Sequence, residues 1–312
     1  MVLALIAVFV AGVGVWSEIV RRRRQRIPVV AYEPRRPVPW SAVELWLIFI
    51  IYLLLQVVPV LVVYRLAGLE IHNSTQNANS TEDAAEPEEM DPERYTAMLL
   101  ANALGNVLTA AATIGLLRRH SVPVLPDTFR GRIMTGLQSR SAATWSDLGL
   151  ARPRMNDLTL GLAAFAAAMI PVYGLNWVLT QFSDERHPIV EMLEKHMSFG
   201  LMAVSVLSAV VVAPFVEELL FRVALQGWLE RVTARAEGDD RVMPWPIVIS
   251  SLAFALAHLG HGFEPIPLFF LALVLGYLYQ RTHRLWPSMV VHFALNSCSM
   301  FVLWLQTAVE IS

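Results

Sequence analysis

Residues 200–228 read GLMAVSVLSAVVVAPFVEELLFRVALQGW, and this stretch decides the fold. It is long enough to cross a bilayer as an α-helix, because about 20 residues at 1.5 Å each span the hydrocarbon core. The apolar run nevertheless contains Glu217, Glu218 and Arg222. Charged side chains inside a membrane are costly unless they are paired or hydrated. The stretch therefore predicts a membrane helix that carries a functional site.

The whole chain has the composition of an integral membrane protein. Apolar residues make up 55% of its 312 positions, charged residues 16%, and the mean hydropathy is +0.50. This composition excludes an ordinary water-soluble domain. We predict an all-α fold, a polytopic bundle with about eight transmembrane helices. The predicted spans cover residues 2–20, 43–64, 98–117, 158–182, 200–228, 243–259, 266–280 and 286–306.

The arginines predict the orientation. No basic residue precedes the first span and five arginines follow it within residues 21–26, which is typical of an uncleaved anchor rather than a signal peptide. Alternating the loops from an outer N-terminus places roughly 19 arginines in the cytoplasm, as the positive-inside tendency requires. Arginine in place of lysine, with Lys195 the only lysine, indicates a bacterial source and hence the plasma (inner) membrane.

The chain divides into two predicted parts. Residues 1–156 form an N-terminal membrane region with about three spans, an acidic outer loop at 72–93 and an Arg-rich cytoplasmic loop at 118–156. Residues 157–312 contain the polar intramembrane positions.

The net charge of −2 does not indicate nucleic acid as a partner, whereas the lipid bilayer is one. Because Cys298 is the only cysteine, neither an intrachain disulfide nor a cysteine zinc site can form.

The charged triplet of residues 217–222 has two interpretations. Glu218 and Arg222 stand four residues apart on one helix face and can form an ion pair. Glu217 is rotated by about 100° from Glu218, which lets it point into a different cavity as a surplus carboxylate and a candidate base. Alternatively, all three side chains form one buried cluster that holds helices together. Pro214 removes a backbone hydrogen bond just before them.

Two later helices carry further polar residues. His258 ends the sequence FALAH, and a single histidine at a helix end is most often an interfacial residue. His292 and Asn296 are the first and last residues of HFALN. They share one helix face, so both can donate to the same acceptor. They can equally bond to each other or to a neighbouring helix. Together with Glu217, these groups are the parts needed to activate a water and to hold an oxyanion.

The order of these motifs resembles the CPBP family, the CAAX-protease and bacteriocin-processing (Abi) intramembrane proteases, which includes the type II CAAX prenyl endopeptidases. Residues 276–279 and 285–288 are also similar to the family's approach to its last motif. The clear resemblance spans 213–296, and it implies that residues 157–312 form a CPBP-type intramembrane protease domain. It rests on Glu-Glu-x-x-x-Arg at 217–222, Phe-x-x-x-His at 254–258 and His-x-x-x-Asn at 292–296.

The resemblance implies roles for particular residues. It assigns catalysis to Glu217, His258, His292 and Asn296. The first two would activate the attacking water, and the last two would stabilise the tetrahedral oxyanion. Glu218 and Arg222 would be the supporting ion pair. The substrate would be a peptide or membrane protein, through CAAX-type cleavage or the processing of a leader or membrane peptide.

The resemblance leaves the metal open, because family members are described both as metalloproteases and as metal-independent glutamate proteases. Candidate zinc ligands are Glu217, His258 and His292, an acceptable oxygen and nitrogen set. No His-Glu-x-x-His helix is present. We therefore favour a mechanism that requires no cofactor, with zinc as the alternative.

Two points remain open from the sequence. By the span count, His258 lies near the outer end of its helix and His292 near the inner end of its own, so a common site requires tilted helices or a re-entrant segment at 260–267. The other functional hypotheses are a non-proteolytic membrane scaffold or immunity factor, and a proton-coupled transporter. The lack of visible inverted repeats counts against the transporter.

Overall fold

The computed structural model describes residues 2–35, 37–66, 92–118, 142–182, 199–233, 243–260 and 262–310. Within these ranges every regular element is a helix, which confirms the predicted all-α fold class. The predicted outer loop and most of the Arg-rich loop lie outside the described residues. The eight helices are α1 (Val2–Arg24), α2 (Ala42–Leu66), α3 (Pro92–Arg118), α4 (Met155–Thr180), α5 (Phe199–Thr233), α6 (Trp245–Leu256), α7 (Pro265–Thr282) and α8 (Leu285–Glu310).

Eight helices form where eight spans are predicted, but the count of eight membrane crossings is not confirmed. Helix α6 has only 12 residues, and α7 has prolines at its start and a polar end at Gln280, Arg281 and Thr282. Five helical segments of the described chain are long and apolar enough to cross a membrane. They are Ala42–Val63, Arg94–Arg118, Met155–Thr180, Phe199–Thr233 and Leu285–Leu305.

Helix α5 lies at the centre of the C-terminal bundle. It packs against α6, α7 and α8, and α4 covers α7 and α8 from the side. Leu219, Leu220 and Val223 of α5 have no exposed surface, and Phe254 of α6 and Tyr279 of α7 close the same core. The charged triplet therefore lies in a part of α5 that is buried in this core.

Helix α5 is not a regular α-helix. Two π-helical segments, Leu207–Val212 and Glu218–Gln226, flank a short α-helical segment, Ala213–Glu217. A π-helical segment shifts the backbone hydrogen bonds from i→i+4 to i→i+5, and such segments occur frequently at functional sites. The two glutamates stand at the junction where the second shift begins.

The segment before α4 is tied to the start of α8. Arg284 donates two hydrogen bonds to Asp157, from Nε at 2.7 Å and from Nη2 at 2.6 Å, and both side chains are buried. The Leu285 amide donates to the carbonyl of Gly149 at 2.9 Å, and Gly149 adopts a φ of 69° that favours glycine. The predicted division of the chain at 156/157 stays a prediction.

The N-terminal region also reaches the C-terminal bundle. The indole of Trp40 donates to the carbonyl of Ala224 at 3.0 Å, within the second π-helical segment. Arg35 donates to the hydroxyl of Tyr279 at 2.8 Å and pairs with Glu230 at 3.0 Å. These contacts brace α5 and α7 at the end of the bundle away from the glutamate pair.

Candidate active site

The predicted ion pair is present and fully buried. Arg222 Nε lies 3.5 Å from Glu218 Oε2, and neither side chain has exposed surface. Arg222 also donates from Nη1 to the hydroxyl of Ser250 at 3.0 Å, and its guanidinium lies over the ring of Phe254. A charge pair at this depth depends on such added contacts, because desolvation is costly.

Ser250 is a supporting residue that the sequence motifs do not reveal. Its hydroxyl accepts from Arg222 and donates to the carbonyl of Phe221 at 3.0 Å. The serine lies in an apolar stretch of α6 with no exposed surface. A polar residue in such a stretch is the one sequence signal that could have pointed to it.

His292 bridges the two adjacent carboxylates. Its Nδ1 donates to Glu218 Oε1 at 3.2 Å, and its Nε2 lies 3.5 Å from Glu217 Oε2. The two glutamates, about 100° apart on the helix, therefore share this one contact. One imidazole reaches both, because its two nitrogens lie on opposite sides of the ring.

Glu217 is the accessible member of the pair. Its side chain is 22% exposed, against 0% for Glu218 and 3% for His292. Water or a substrate atom can therefore reach the Glu217 carboxylate, whereas Glu218 is enclosed by protein.

His258 faces the exposed side of Glu217. Its Nε2 lies 3.9 Å from Glu217 Oε1, and its Nδ1 is 2.8 Å from the carbonyl of Phe254. A carbonyl only accepts, so Nδ1 carries the proton and a neutral imidazole has its lone pair on Nε2. At 3.9 Å the two side chains are too far apart for a direct hydrogen bond, but a water can lie at about 2.8 Å from both.

A short helix and the turn after it bring His258 to Glu217. Helix α6 ends at Leu256 after about 18 Å, well short of the roughly 30 Å hydrocarbon core. The chain then turns through Gly260 and Gly262, both with positive φ, and enters α7 at Pro265. His258 lies just after α6, with its Nε2 3.9 Å from Glu217, and a re-entrant path through the membrane stays a prediction.

Asn296 binds a backbone carbonyl that the helix leaves unpaired. The Ala213 amide bonds to Ser208, five residues back, so it does not serve Ala209. The next candidate donor for Ala209 is residue 214, which is a proline without an N–H. Asn296 Nδ2 fills this gap, donating to the Ala209 carbonyl at 2.8 Å.

The structure places three of the four predicted catalytic residues together and holds the fourth, Asn296, by a different contact. His258 and His292 each bring Nε2 within 4 Å of the Glu217 carboxylate, at 3.9 and 3.5 Å. Asn296 lies one turn along α8 from His292 but is held to α5 by its amide nitrogen. Its bond to Ala209 is a contact with a neighbouring helix, which is one of the arrangements that the sequence leaves open.

The candidate zinc ligands gather around the Glu217 carboxylate. Nevertheless, the described part of the chain contains no group of three or more His, Cys, Asp or Glu side chains arranged to hold a metal ion. Glu217, His258 and His292 are a carboxylate and two imidazoles, which can act as acid and base without a metal.

Comparison with known families gives one match. The model of the family described as "Type II CAAX prenyl endopeptidase Rce1-like" matches residues 199–298, which run from the start of α5 into α8 and contain all three motifs. No curated protein and no solved structure gives a significant match. Together with the five apolar helices, the match identifies an integral membrane protein. Residues 199–298 thus match the Rce1-like family, which supports the resemblance to the CAAX proteases drawn from the three motifs.

Proposed function

We propose that the protein is an intramembrane endopeptidase that hydrolyses a peptide bond with a water activated by Glu217 and His258. The observation that carries this proposal is the meeting of a partly exposed carboxylate with two imidazoles inside an apolar bundle. The match to a prenyl endopeptidase family supports the same reaction class.

The first step uses the gap between Glu217 and His258. A water there donates one hydrogen to each acceptor, and its oxygen lone pair is left for the carbonyl carbon of the peptide bond. As the oxygen attacks, Glu217 takes the proton and the carbonyl becomes an oxyanion. The same proton then passes to the leaving amine, so the carboxylate is regenerated.

His292 and Asn296 serve the oxyanion in this proposal. A doubly protonated His292 would carry N–H on both ring nitrogens, with Nδ1–H donated to Glu218. His292 then presents Nε2–H as a donor beside Glu217. Asn296 has a second amide hydrogen besides the one given to Ala209, and it lies one turn away on α8.

The substrate is a peptide or a membrane protein. A CAAX-type substrate follows from the family's name, and a leader peptide or small membrane protein has the same reacting bond. The mechanism above is that of a glutamate protease and has no metal step; its zinc alternative would use Glu217, His258 and His292 to polarise the same water.

Comparative proteomics of peptide termini tests the proposal. Cells with the wild type and cells with Glu217→Ala are compared, and the wild type is expected to produce new termini that the variant lacks. Identical termini in both strains, with equal amounts of inserted protein, would overturn the proposal.

A non-proteolytic scaffold or immunity factor is the second candidate. It is favoured by the contacts of His292 and Asn296, which join α8 to α5 as structural side chains would. If the protein is such a scaffold, His292→Gln at an unchanged protein level leaves the cellular phenotype intact. If the protein is a protease, the same variant abolishes the phenotype.

A further inference from the structure

A cavity of about 220 Å³ lies beside the candidate active site, between α4, α7 and α8. Valine, proline and leucine side chains form its apolar walls. Asn296 lines it too, so the cavity directly adjoins the proposed oxyanion site. Its polar lining residues are Tyr173, Asn176, Glu264, Asn296 and Ser299.

Two of these polar groups are already engaged. The hydroxyl of Tyr173 donates to the carbonyl of Leu295 at 2.9 Å. It therefore accepts from the hydroxyl of Ser299, at 2.8 Å. This pair fixes α4 against α8 and forms a closed wall of the cavity.

Glu264 is the charged group of the cavity, and it does not cap its own helix. It is the N-cap residue of α7, where a carboxylate normally accepts from the first free amides. The first turn of α7 contains Pro265 and Pro267, which have no N–H, and the side chain of Glu264 makes no capping bond. Among the described residues, no cationic side chain pairs with Glu264.

Three acceptors are left for a ligand. They are the Glu264 carboxylate, the Oδ1 of Asn176 and the Oδ1 of Asn296, whose nitrogen gives one of its two hydrogens to Ala209. The cavity carries one negative charge and no positive one. Its volume is below the roughly 300 Å³ at which sites for drug-sized ligands begin, so it suits one side chain rather than a lipid or a folded segment.

We propose that this cavity is a specificity subsite for a lysine or arginine side chain of the substrate, bound by Glu264 with Asn176 and Asn296 as neutral acceptors. The inference rests on the proposed function, because that function supplies the peptide substrate. The shared residue Asn296 places the basic side chain close to the bond that is cut. The apolar walls accommodate the methylene stem, as long basic side chains require.

Peptide binding to the inactive variant Glu217→Gln tests the subsite without requiring cleavage. The probe is a fluorescent Ala-Leu host peptide with one central lysine, compared with matched peptides that carry glutamine or glutamate there. The lysine peptide is expected to bind about tenfold more tightly than the glutamine peptide, as a charge-assisted hydrogen bond provides.

Three variants in the same Glu217→Gln background decide the result. Glu264→Gln is expected to remove the lysine preference, and Glu264→Lys to transfer it to the glutamate peptide. Glu33→Gln, a carboxylate at the other end of the molecule, keeps the preference. The proposal is overturned if Glu264→Gln retains the lysine preference, or if the parent protein shows none because the cavity holds only water.

Failure of the subsite and failure of the proposed function give different results. If wild type cleaves the host peptides and Glu217→Gln does not, but lysine brings no advantage in binding, the protease stands and the subsite falls. If lysine is preferred through Glu264 and nothing is cleaved, the subsite stands as a binding site and the protease falls.

Discussion

Glu217 and Glu218 are neighbours in sequence but have opposite surroundings. Glu218 is enclosed with Arg222, whereas Glu217 keeps 22% of its side chain exposed. Removing one partner of a buried ion pair leaves the other charge unpaired, at a cost of about 3–5 kcal/mol. Removing the exposed carboxylate carries no such penalty.

We therefore predict that Glu218→Gln destabilises the protein by several kcal/mol, while Glu217→Gln unfolds like the wild type. Thermal unfolding in the same detergent measures the difference, with reversibility checked by reheating. Equal losses of stability in the two variants would show that the carboxylates act as one structural cluster.

Asn296 offers a second test at this scale, because its bond to Ala209 depends on Pro214. Asn296→Ala leaves a carbonyl unpaired and is expected to cost about 1–3 kcal/mol. In a Pro214→Ala background residue 214 regains an N–H, so the same substitution should cost about 1 kcal/mol less. Additive losses of unfolding free energy in this double-mutant cycle would contradict the backbone explanation.

At the scale of elements, α4 and α8 pack closely against each other at Gly161. A Cβ at Gly161 would lie 2.5 Å from Val290 Cβ and 2.9 Å from the carbonyl oxygen of Pro287. Small residues allow membrane helices to pack closely, and a side chain here forces them apart.

Gly161→Ala is therefore predicted to destabilise the protein by about 1–3 kcal/mol, as overpacking does. The matched control is Gly174→Ala in the same helix, where a Cβ meets nothing within 4 Å. That control should be neutral or slightly stabilising, since alanine is the better helix former. Thermal unfolding of both variants checks the prediction, which fails if they behave alike.

The helices themselves could be predicted from sequence, because apolar length is a direct consequence of bilayer thickness. The i,i+4 rule likewise predicted the Glu218 and Arg222 pair. The π-helical segments of α5 could not be predicted, since residue spacing does not distinguish i→i+4 from i→i+5 bonding. For this reason the bridging position of His292 and the bond from Asn296 to Ala209 appear only in the structure.

For the whole molecule, the arginine distribution predicts an outer N-terminus. In a Cys298→Ser background, a membrane-impermeant thiol reagent on intact cells should label Ser80→Cys and leave Ser139→Cys unlabelled. Both positions become labelled once the membrane is opened. The reverse pattern would invert the orientation without affecting the site.

The proposed function of the whole molecule is hydrolysis of a peptide bond in the membrane by a water that Glu217 activates. Purified protein in liposomes, supplied with a peptide identified from the termini comparison, measures it directly. Glu217→Gln is predicted to cut at the same bond at least about 10²-fold more slowly than the wild type, as loss of a general base requires. Hydrolysis by Glu217→Gln at the wild-type rate would contradict the account.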